Sequence, residues 1–485
     1  MEENKIKNKI LSNLIWKYAE RCGAQGVQFI VSIILARLLS PSDYGLIGLI
    51  TVFISVCNLF ISGGFGNALV QKKSAESKDF SSVFYFNIAV SVLLYIVMFF
   101  AAPLIADFYN EQLLIPVVRV LSLGLIVGGF GAVQNAYVQK GLQFKKFFFA
   151  TLGGTIVSAV VGIYIAYKGG GVWALVAQTL TSQCANTLIL WIIVKWRPTL
   201  EFSFKRMKVM FSFGWKMLAS SIVDTIYNNI YTLVIGKFYS TEELGIYNRG
   251  KTFPVMVVEN INSSIQSVLF PAMSKYQDNR ETVKNMVRRS ITVSTFLIFP
   301  AMAGLAAIAK PLTVILLTEK WLPSVPFMWF CCFTYAFWPI HTANLQAINA
   351  LGRSDIFLKL EIIKKVLGIA TLIATIPFGL YTMMWGRCVI TVLSSFINAY
   401  PNKKLLGYKY VEQVKDMLPS FILSIVMLVI VYAVEFLNLN NWLTLIIQII
   451  LGMVIYFGLA KLFKLECFNY ILNTVTGIYK AKRNK

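Results

Sequence analysis

A succession of long apolar segments constrains the fold of this chain more than any other feature of its sequence. Fourteen such segments follow one another, each about as long as the roughly 20 residues that a helix needs to cross a bilayer. Hydrocarbon offers backbone amides no hydrogen-bond partner, so segments of this length are expected to be helical. The sequence therefore predicts an all-α integral membrane protein with about fourteen transmembrane helices. We number them spans 1 to 14, and they lie near residues 13–38, 45–69, 81–106, 112–138, 147–167, 172–194, 209–236, 244–272, 290–309, 323–350, 356–378, 380–400, 417–437 and 442–460.

The composition agrees with this prediction. Of the 485 residues, 57% are apolar and 14% are charged, whereas a soluble domain has about 25% charged residues. In a soluble protein the net charge of +23 would suggest a nucleic-acid partner. Here the cations lie between the apolar segments, as in membrane proteins, so no nucleic-acid partner is predicted. The connections are also too short for a large catalytic domain outside the membrane.

The distribution of Lys and Arg predicts the orientation of the spans. The N-terminal end and the alternate loops after it hold 33 of these residues, whereas the opposite loops hold five. Because cytoplasmic loops carry the excess of positive charge, both termini are predicted to be cytoplasmic, with an even number of spans. We expect a multi-pass protein of a bacterial cytoplasmic membrane whose first span is retained rather than cleaved as a signal peptide. The five cations of the opposite loops are Arg37, Lys168, Lys237, Lys310 and Lys320.

The two halves of the chain share a series of short matches. Trp16-Lys17 recurs as Trp215-Lys216, and the stretch 37–45 aligns with 237–245. Three further matches follow in the same order, which indicates a duplication of six spans in the same orientation. Parallel repeats of this kind place a ligand site between them. The sequence thus predicts a first lobe of six helices at 1–202 and a second lobe of six helices at 203–402. Spans 13 and 14 and a basic tail follow at 403–485.

Charged residues inside the spans are the first candidates for a binding site. Each charge at the bilayer centre costs roughly 2.5–3.5 kcal/mol, so a net positive set needs water or an anion nearby. Lys17 and Lys216 near cytoplasmic ends, and Arg249 near an outer end, could extend toward water. The four deeper cations are predicted to line a hydrated cavity. The seven cations are Lys17, Arg21, Arg119, Lys216, Arg249, Lys251 and Arg387, and the acids are Glu20, Asp224 and Glu259.

Polar residues repeat at helical spacing on spans 1, 2, 7 and 8. Gln28, Asn58, Asn228 and Gln266 belong to these polar faces. Hydrogen bonds between helices are the alternative use of such residues in a membrane. Asp224 and Glu259 are the acids that lie deepest in the spans, and we expect them to bind a proton or sodium ion. The alternative is that each neutralises a neighbouring lysine.

No pattern in the sequence predicts catalysis. Residues 245–252, GIYNRGKT, match a phosphate-loop pattern, but the strand and loop that this motif requires are missing from an apolar helical segment. The one histidine, His341, is more typical of a hydrogen-bonded packing residue than of a proton relay. No metal-ligand cluster, nucleophile with a base or pair of carboxylates appears. We therefore predict a protein that is not an enzyme and uses no metal or cofactor.

Five stretches of the sequence together carry a family resemblance. They are RLLSPSDYGLIGL (37–49), GGVWALVAQ (170–178), SFGWKMLASS (212–221), IGKFYSTEELGIYNRGK (235–251) and LFPAMSKYQ (269–277). The set resembles the polysaccharide transporter branch of the multidrug/oligosaccharidyl-lipid/polysaccharide exporter superfamily. Within it, the chain is most similar to Wzx-type flippases and to the colanic-acid and teichuronic-acid exporters.

This resemblance implies fourteen helices, in two lobes around a central cavity, that move membrane-bound substrate by alternating access. The implied substrate is an undecaprenyl-pyrophosphate-linked oligosaccharide, transferred from the cytoplasmic to the outer leaflet. Related lipid II flippases hold the pyrophosphate with basic residues of helices 1 and 8, where Arg21 and Lys251 lie in this chain.

Two other functions remain open from the sequence. A cation-coupled multidrug exporter of the same superfamily would need a cavity richer in acids than in bases. A membrane-embedded polysaccharide polymerase or ligase would need a large external loop, and the external connections here are about a dozen residues or shorter. The sugar, the coupling ion, the oligomeric state and the resting conformation are not predicted.

Overall fold

The computed structural model describes residues 16, 23–63, 66, 69–70, 72, 76–470, 472–473 and 476. All regular structure within these residues is helical, which confirms the all-α class. Lys17, Glu20 and Arg21 lie outside the described residues. The helices are α1 Gly23–Leu38, α2 Pro41–Asn58, α3 Ser77–Tyr109, α4 Leu114–Leu121, α5 Leu123–Lys140, α6 Phe144–Tyr167, α7 Val172–Ile193, α8 Phe204–Asn228, α9 Ile230–Phe238, α10 Thr241–Lys275, α11 Arg280–Ala307, α12 Ala309–Leu317, α13 Val325–Ala336, α14 Trp338–Ala350, α15 Ser354–Thr375, α16 Leu380–Ala399, α17 Asn402–Leu406, α18 Tyr410–Ala433 and α19 Asn441–Leu462.

Eight helical stretches among the described residues are long and apolar enough to cross a membrane. The chain is thus a multi-pass, all-helical membrane protein. The other predicted spans also contain helices. Some of these are short, such as Gly23–Leu38 in span 1 and the two helices of span 10, and others carry charged residues, as α10 does with Arg249 and Lys251. The eight stretches are Pro41–Ile61, Ser77–Tyr109, Leu114–Lys140, Phe144–Tyr167, Arg280–Ala307, Leu380–Leu406, Tyr410–Leu437 and Asn441–Leu462.

Three segments predicted as single spans are interrupted in the structure. Span 4 is divided at Ser122, span 7 at Asn229 and span 10 at Phe337. Pro339 explains the last break, because proline lacks the N–H that would continue the helix. At the second break, the Asn229 side chain donates to the Thr225 carbonyl oxygen at 2.9 Å. Hydropathy alone does not reveal these breaks, since each lies within a segment that is apolar on average.

The chain divides into two compact units, residues 1–245 and 246–485. Within the first unit, the two segments aligned by the repeat begin their helices with the same cap. Ser40 Oγ accepts from the Asp43 amide at 3.2 Å, and Ser240 Oγ accepts from the Glu243 amide at 3.0 Å. In each pair the acidic side chain accepts from the serine amide in return. This reciprocal arrangement is a capping box, so the aligned segments share local structure as well as sequence.

The start of α2 lies directly against residues 241–245 of the first unit. A Cβ at Gly45 would overlap the carbonyl oxygen of Thr241, and a Cβ at Gly245 would overlap that of Pro41. Ser42 Oγ and Thr241 Oγ1 share a hydrogen bond of 3.0 Å beside this contact. Glycine is the residue that permits such close backbone approach. The two repeat-related glycines therefore determine how closely these segments pack.

In the second unit, α11 and α18 run side by side in the same direction. Lys284 lies 3.8 Å from Glu412, and one turn further Arg288 lies 2.6 Å from Asp416. Deeper along the pair, the rings of Phe299 and Phe421 are 5.7 Å apart at their centroids. The packing begins with charged contacts at the helix ends and continues with apolar contacts inside. α18 is thereby an integral part of this unit.

Candidate anion site in the second unit

Arg387 of α16 is held within the second unit by two tyrosines. Its Nη1 donates to Tyr247 Oη at 2.6 Å, and its Nη2 donates to Tyr335 Oη at 3.3 Å. Tyr247 is 1% exposed and Tyr335 is 7% exposed, whereas Arg387 itself is half-buried. The phenols therefore fix one side of the guanidinium and leave part of it accessible.

Lys251 lies one helical turn after Tyr247 on α10. Residues four apart occupy the same face of a helix, so the lysine follows the tyrosine toward Arg387. Lys251 is close enough to Arg387, Cys331 and Glu259 for electrostatic interaction. No salt bridge to Lys251 forms among the residues that the structure describes. Two cations thus share one region of the unit.

A glycine precedes each of these cations and brings its helix close to a neighbour. A Cβ at Gly250 would lie 2.7 Å from the Ser324 carbonyl oxygen and 2.8 Å from Phe327 Cβ at the start of α13. A Cβ at Gly386 would lie 3.0 Å from Thr371 Cγ2 of α15. The backbone contact at Gly250 excludes a larger side chain, and the contact at Gly386 leaves little room for one. Packing therefore restrains the backbone beside each cation.

The chemistry of this site suits an anion with several oxygen atoms. Lysine offers a compact positive charge, and arginine offers N–H groups that match the oxygens of a phosphate. Two cations close together repel each other, and a bound diphosphate would remove that repulsion. The hydroxyl groups of Tyr247 and Tyr335 orient the arginine. We refer to Tyr247, Lys251, Tyr335 and Arg387 as the anion site.

The structure brings together only some of the predicted cations. Arg249 is buried on another face of α10, with its guanidinium 5.5 Å from the ring centroid of Trp321. Arg119 lies in the first unit, where its guanidinium stacks 4.2 Å from the Phe99 ring centroid and its Nε donates to the Phe99 carbonyl oxygen at 3.3 Å. Both residues thus make local packing contacts. The side chain of Lys216 is not among those described, as is the case for Lys17 and Arg21.

The predicted polar and acidic residues occupy accessible positions. Gln28, Asn228 and Gln266 are exposed and Asn58 is half-buried. Asp224 of α8 and Glu259 of α10 are also exposed, and Glu259 interacts electrostatically with Lys251. Their roles in sugar binding and ion coupling remain predictions.

Tyr247 and Tyr335 are the site residues that the sequence did not predict. Tyr335 lies within an apolar run and shows no polar stripe that would mark it. Tyr247 could have been recognised as a neighbour of the site from its position one helical turn before Lys251. His341 makes a 3.0 Å hydrogen bond from Nδ1 to the Asn398 amide group, which is the packing interaction expected of it.

The phosphate-loop pattern does not form a loop. Gly245 to Thr252 lie inside the continuous helix α10, so their amides bond within the helix instead of surrounding a phosphate. Across the described part of the chain, no group of three or more His, Cys, Asp or Glu side chains is placed to hold a metal ion.

An all-helical, multi-pass protein with cations held inside its helices has features of a membrane transporter. The chain is a member of the family described as polysaccharide biosynthesis protein, whose model matches residues 34–326. It is 26% identical to the teichuronic acid biosynthesis protein TuaB of Bacillus subtilis over 437 residues, covering 89% of this chain and 90% of that protein. It is 24% identical to the lipopolysaccharide biosynthesis protein WzxC of Escherichia coli, covering 88% of each chain.

Solved structures show the same fold. The lipid II flippase MurJ, in an inward closed conformation, matches with a TM-score of 0.75 and 16% identity, over 93% of this chain and 98% of that one. An inward-facing multidrug transporter of the MATE family and MOP superfamily matches with a TM-score of 0.62 and 16% identity, over 78% and 94%. These matches confirm an all-α membrane transporter fold.

Proposed function

We propose that this protein is a flippase for a lipid-linked oligosaccharide. It moves an undecaprenyl-pyrophosphate-linked repeat unit of a surface polysaccharide from the cytoplasmic to the outer leaflet by alternating access. The transfer breaks no covalent bond, so it needs no catalytic residue or cofactor. Its partners are the membrane lipid and the lipid-linked sugar.

The anion site is the observation that carries this proposal. A diphosphate between a prenyl tail and a sugar is the part of such a substrate that hydrocarbon excludes most strongly. Lys251 and Arg387 supply two positive charges within helices that the membrane surrounds. A transporter for cationic drugs would instead need acids at this position. The excess of cations therefore favours the lipid-linked diphosphate over the drug.

The proposal extends to the remaining predicted residues. Arg21 joins Lys251 on the diphosphate, and Gln28, Asn58, Asn228 and Gln266 contact sugar hydroxyls. The fourteen spans form two six-helix lobes, at 1–202 and 203–402, with both termini in the cytoplasm. Asp224 and Glu259 carry the coupling proton or sodium ion, so Asp224→Asn with Glu259→Gln removes stimulation by an imposed ion gradient. Gradient-driven transport at the parent rate in that double variant would contradict the coupling role.

A labelling experiment tests the orientation. Cysteines replace Glu76, Glu201 and Asn279 one at a time in a chain without its native cysteines. In intact cells, each should resist an impermeant thiol reagent and become reactive after the membrane is permeabilised. Labelling from outside at any one position would contradict the proposed orientation of that part of the chain.

A binding experiment tests the substrate class. Purified protein is titrated with a polyprenyl-diphosphate sugar, and the same titration is made on Lys251→Met, Arg387→Met and Lys251→Arg. We expect each methionine variant to weaken binding at least tenfold, and Lys251→Arg to retain most of it because the charge remains. Lys404→Met removes an exposed lysine of α17 and is the matched control.

The outcomes distinguish the loss of a positive charge at the anion site from a general effect of substitution on the structure. Weakened binding in both methionine variants, with Lys404→Met unchanged, supports the assignment. Equal affinity of all five proteins for the diphosphate would contradict a role for the anion site. Equal affinity of the parent protein for the diphosphate and for a neutral prenyl alcohol would contradict the substrate class itself.

A further inference from the structure

A charged cavity of about 500 Å³ lies at one end of the second unit. It is formed where α11 and α18 begin and where the chain leaves α19. Its charged lining residues are Arg288, Arg289, Lys415, Asp416, Lys464 and Glu466. These residues are separate from the anion site, and the proposed transport does not use them.

The cavity has an excess of two positive charges. Asp416 is already occupied, because it contacts Arg288 at 2.6 Å and accepts from Tyr408 Oη at 2.6 Å. Among the described residues, Lys415 and Lys464 form no salt bridge. The cavity therefore contains cations whose charge the nearby protein does not neutralise.

Arg289 is held in an orientation suited to a ligand. Its guanidinium lies over the Tyr470 ring, 3.6 Å from the centroid. Stacking holds the flat face of a guanidinium and leaves its edge, which carries the N–H groups, for an oxyanion. No acid of the described chain forms a salt bridge with Arg289. An oxyanion bound here would also meet the charges of Lys415 and Lys464.

The surroundings of the cavity are those of a lipid headgroup. On its inner side begins an apolar cluster that includes Phe296, Leu423 and Tyr456. Leu462 and Phe463, where α19 ends, are 72% and 63% exposed. A free anion in water gains nothing from such apolar neighbours, whereas the acyl chains of a lipid would cover them. Basic pockets between membrane helices on the cytoplasmic side are known to bind anionic headgroups.

We propose that this cavity binds the phosphodiester headgroup of an anionic phospholipid in the cytoplasmic leaflet. Arg289, Lys415 and Lys464 contact the phosphate, and the acyl chains lie along Leu462 and Phe463. The assignment to that leaflet rests on the proposed orientation of the chain, but the site itself does not depend on the transported substrate. A bound lipid would hold the ends of α11, α18 and α19 together.

Thermal unfolding of the full-length protein in a neutral detergent tests the proposal. The protein is titrated with dioctanoyl phosphatidylglycerol, with dioctanoyl phosphatidylcholine, and with inorganic phosphate. A ligand that binds only the folded protein raises the unfolding temperature. We expect a rise of several degrees with phosphatidylglycerol and none with phosphatidylcholine. Inorganic phosphate at the same concentration should have little effect, because it lacks the acyl chains.

Two double variants complete the test. Arg289→Gln with Lys415→Gln should lose most of the rise, whereas Arg280→Gln with Lys404→Gln, which removes two exposed cations outside the cavity, should keep it. An equal rise in both double variants would show charge attraction without a site and overturn the proposal. A rise with inorganic phosphate equal to that with phosphatidylglycerol would overturn the lipid as the source. If the cavity variant does not fold, Lys464→Gln alone gives the same comparison.

Discussion

The two units differ in how they pair a buried side-chain amide at positions that the predicted repeat relates. Gln134 and Asn344 are 210 residues apart, the offset that also relates Pro116 to Pro326. In the first unit, Gln134 Nε2 donates to the Trp196 carbonyl oxygen at 3.3 Å, and Gln134 Oε1 has no hydrogen-bond partner within the described chain.

In the second unit, Asn344 uses all of its hydrogen-bonding capacity. Its Nδ2 donates to the Ile340 carbonyl oxygen and to Gln413 Oε1, both at 2.9 Å. Its Oδ1 accepts from Gln413 at 3.0 Å and from Asn402 at 2.7 Å. Gln413 belongs to α18, which lies beyond the repeat. The comparison shows that a buried amide network attaches α18 to the rest of the second unit.

The largest expected effect comes from breaking this network. Asn344→Leu leaves the buried side-chain amide of Gln413 without its partner, at a cost of about 1–3 kcal/mol, and leaves Asn402 with only a 3.4 Å hydrogen bond to the carbonyl oxygen of residue 344. Gln134→Leu removes one long hydrogen bond and an oxygen that lacks a partner, so it should cost about 1 kcal/mol or less. Thermal unfolding in detergent measures both. Equal destabilisation by the two variants would contradict the difference between the units.

A smaller effect is expected at the close backbone contact between residues 41–45 and 241–245. Gly45→Ala and Gly245→Ala each place a methyl group on a carbonyl oxygen, and such overpacking costs about 1–3 kcal/mol. Gly458→Ala is the matched control, because a Cβ there meets no atom within 4 Å. The unfolding temperature should fall in the first two variants and stay unchanged or rise in the third. A Gly45→Ala protein as stable as the parent would contradict the close approach of Gly45 to the Thr241 carbonyl oxygen.

The smallest effect tests whether the two capping boxes are equivalent. Ser40→Ala and Ser240→Ala each remove the side chain that accepts from an orphan helix amide, at a cost of about 1 kcal/mol. The two costs should agree within a few tenths of a kcal/mol, because both serines make the same pair of contacts. Ser40→Asp and Ser240→Asp should restore most of the loss. If only one of the two alanine variants were destabilised, the aligned segments would be similar in sequence but not in the contribution of their caps to stability.

The sequence predicted the features that depend on periodicity and total charge. The helical class follows from hydropathy and is confirmed. The duplication, which rests on the aligned segments at 37–45 and 237–245, stays a prediction. The breaks at Asn229 and Phe337 were not predicted, although two consecutive asparagines and Pro339 lie at these positions. Hydropathy is averaged over a window of about 19 residues and does not register a local interruption.

The composition of the anion site was only partly predictable. Lys251 and Arg387 stood out because a charge within an apolar segment is costly. Arg119 and Arg249 stood out for the same reason, yet they pack against Phe99 and Trp321. Whether a cation faces a ligand or an aromatic ring depends on tertiary neighbours that lie far away in sequence. The depth of a cation within a span therefore identifies it as a candidate for a binding site, but it does not show which of the candidates lie together in the folded protein.

Transport in proteoliposomes is the most direct test of the central claim, that the anion site lets this protein flip a diphosphate-linked sugar. A fluorescent polyprenyl-diphosphate sugar is placed in both leaflets, and an impermeant quencher reports how fast the inner pool reaches the outside. We expect rapid exchange with the parent protein and with Lys404→Met, and at least a tenfold slower exchange with the double variant Lys251→Met, Arg387→Met. Exchange by the double variant at the parent rate would contradict the role of the anion site in transport.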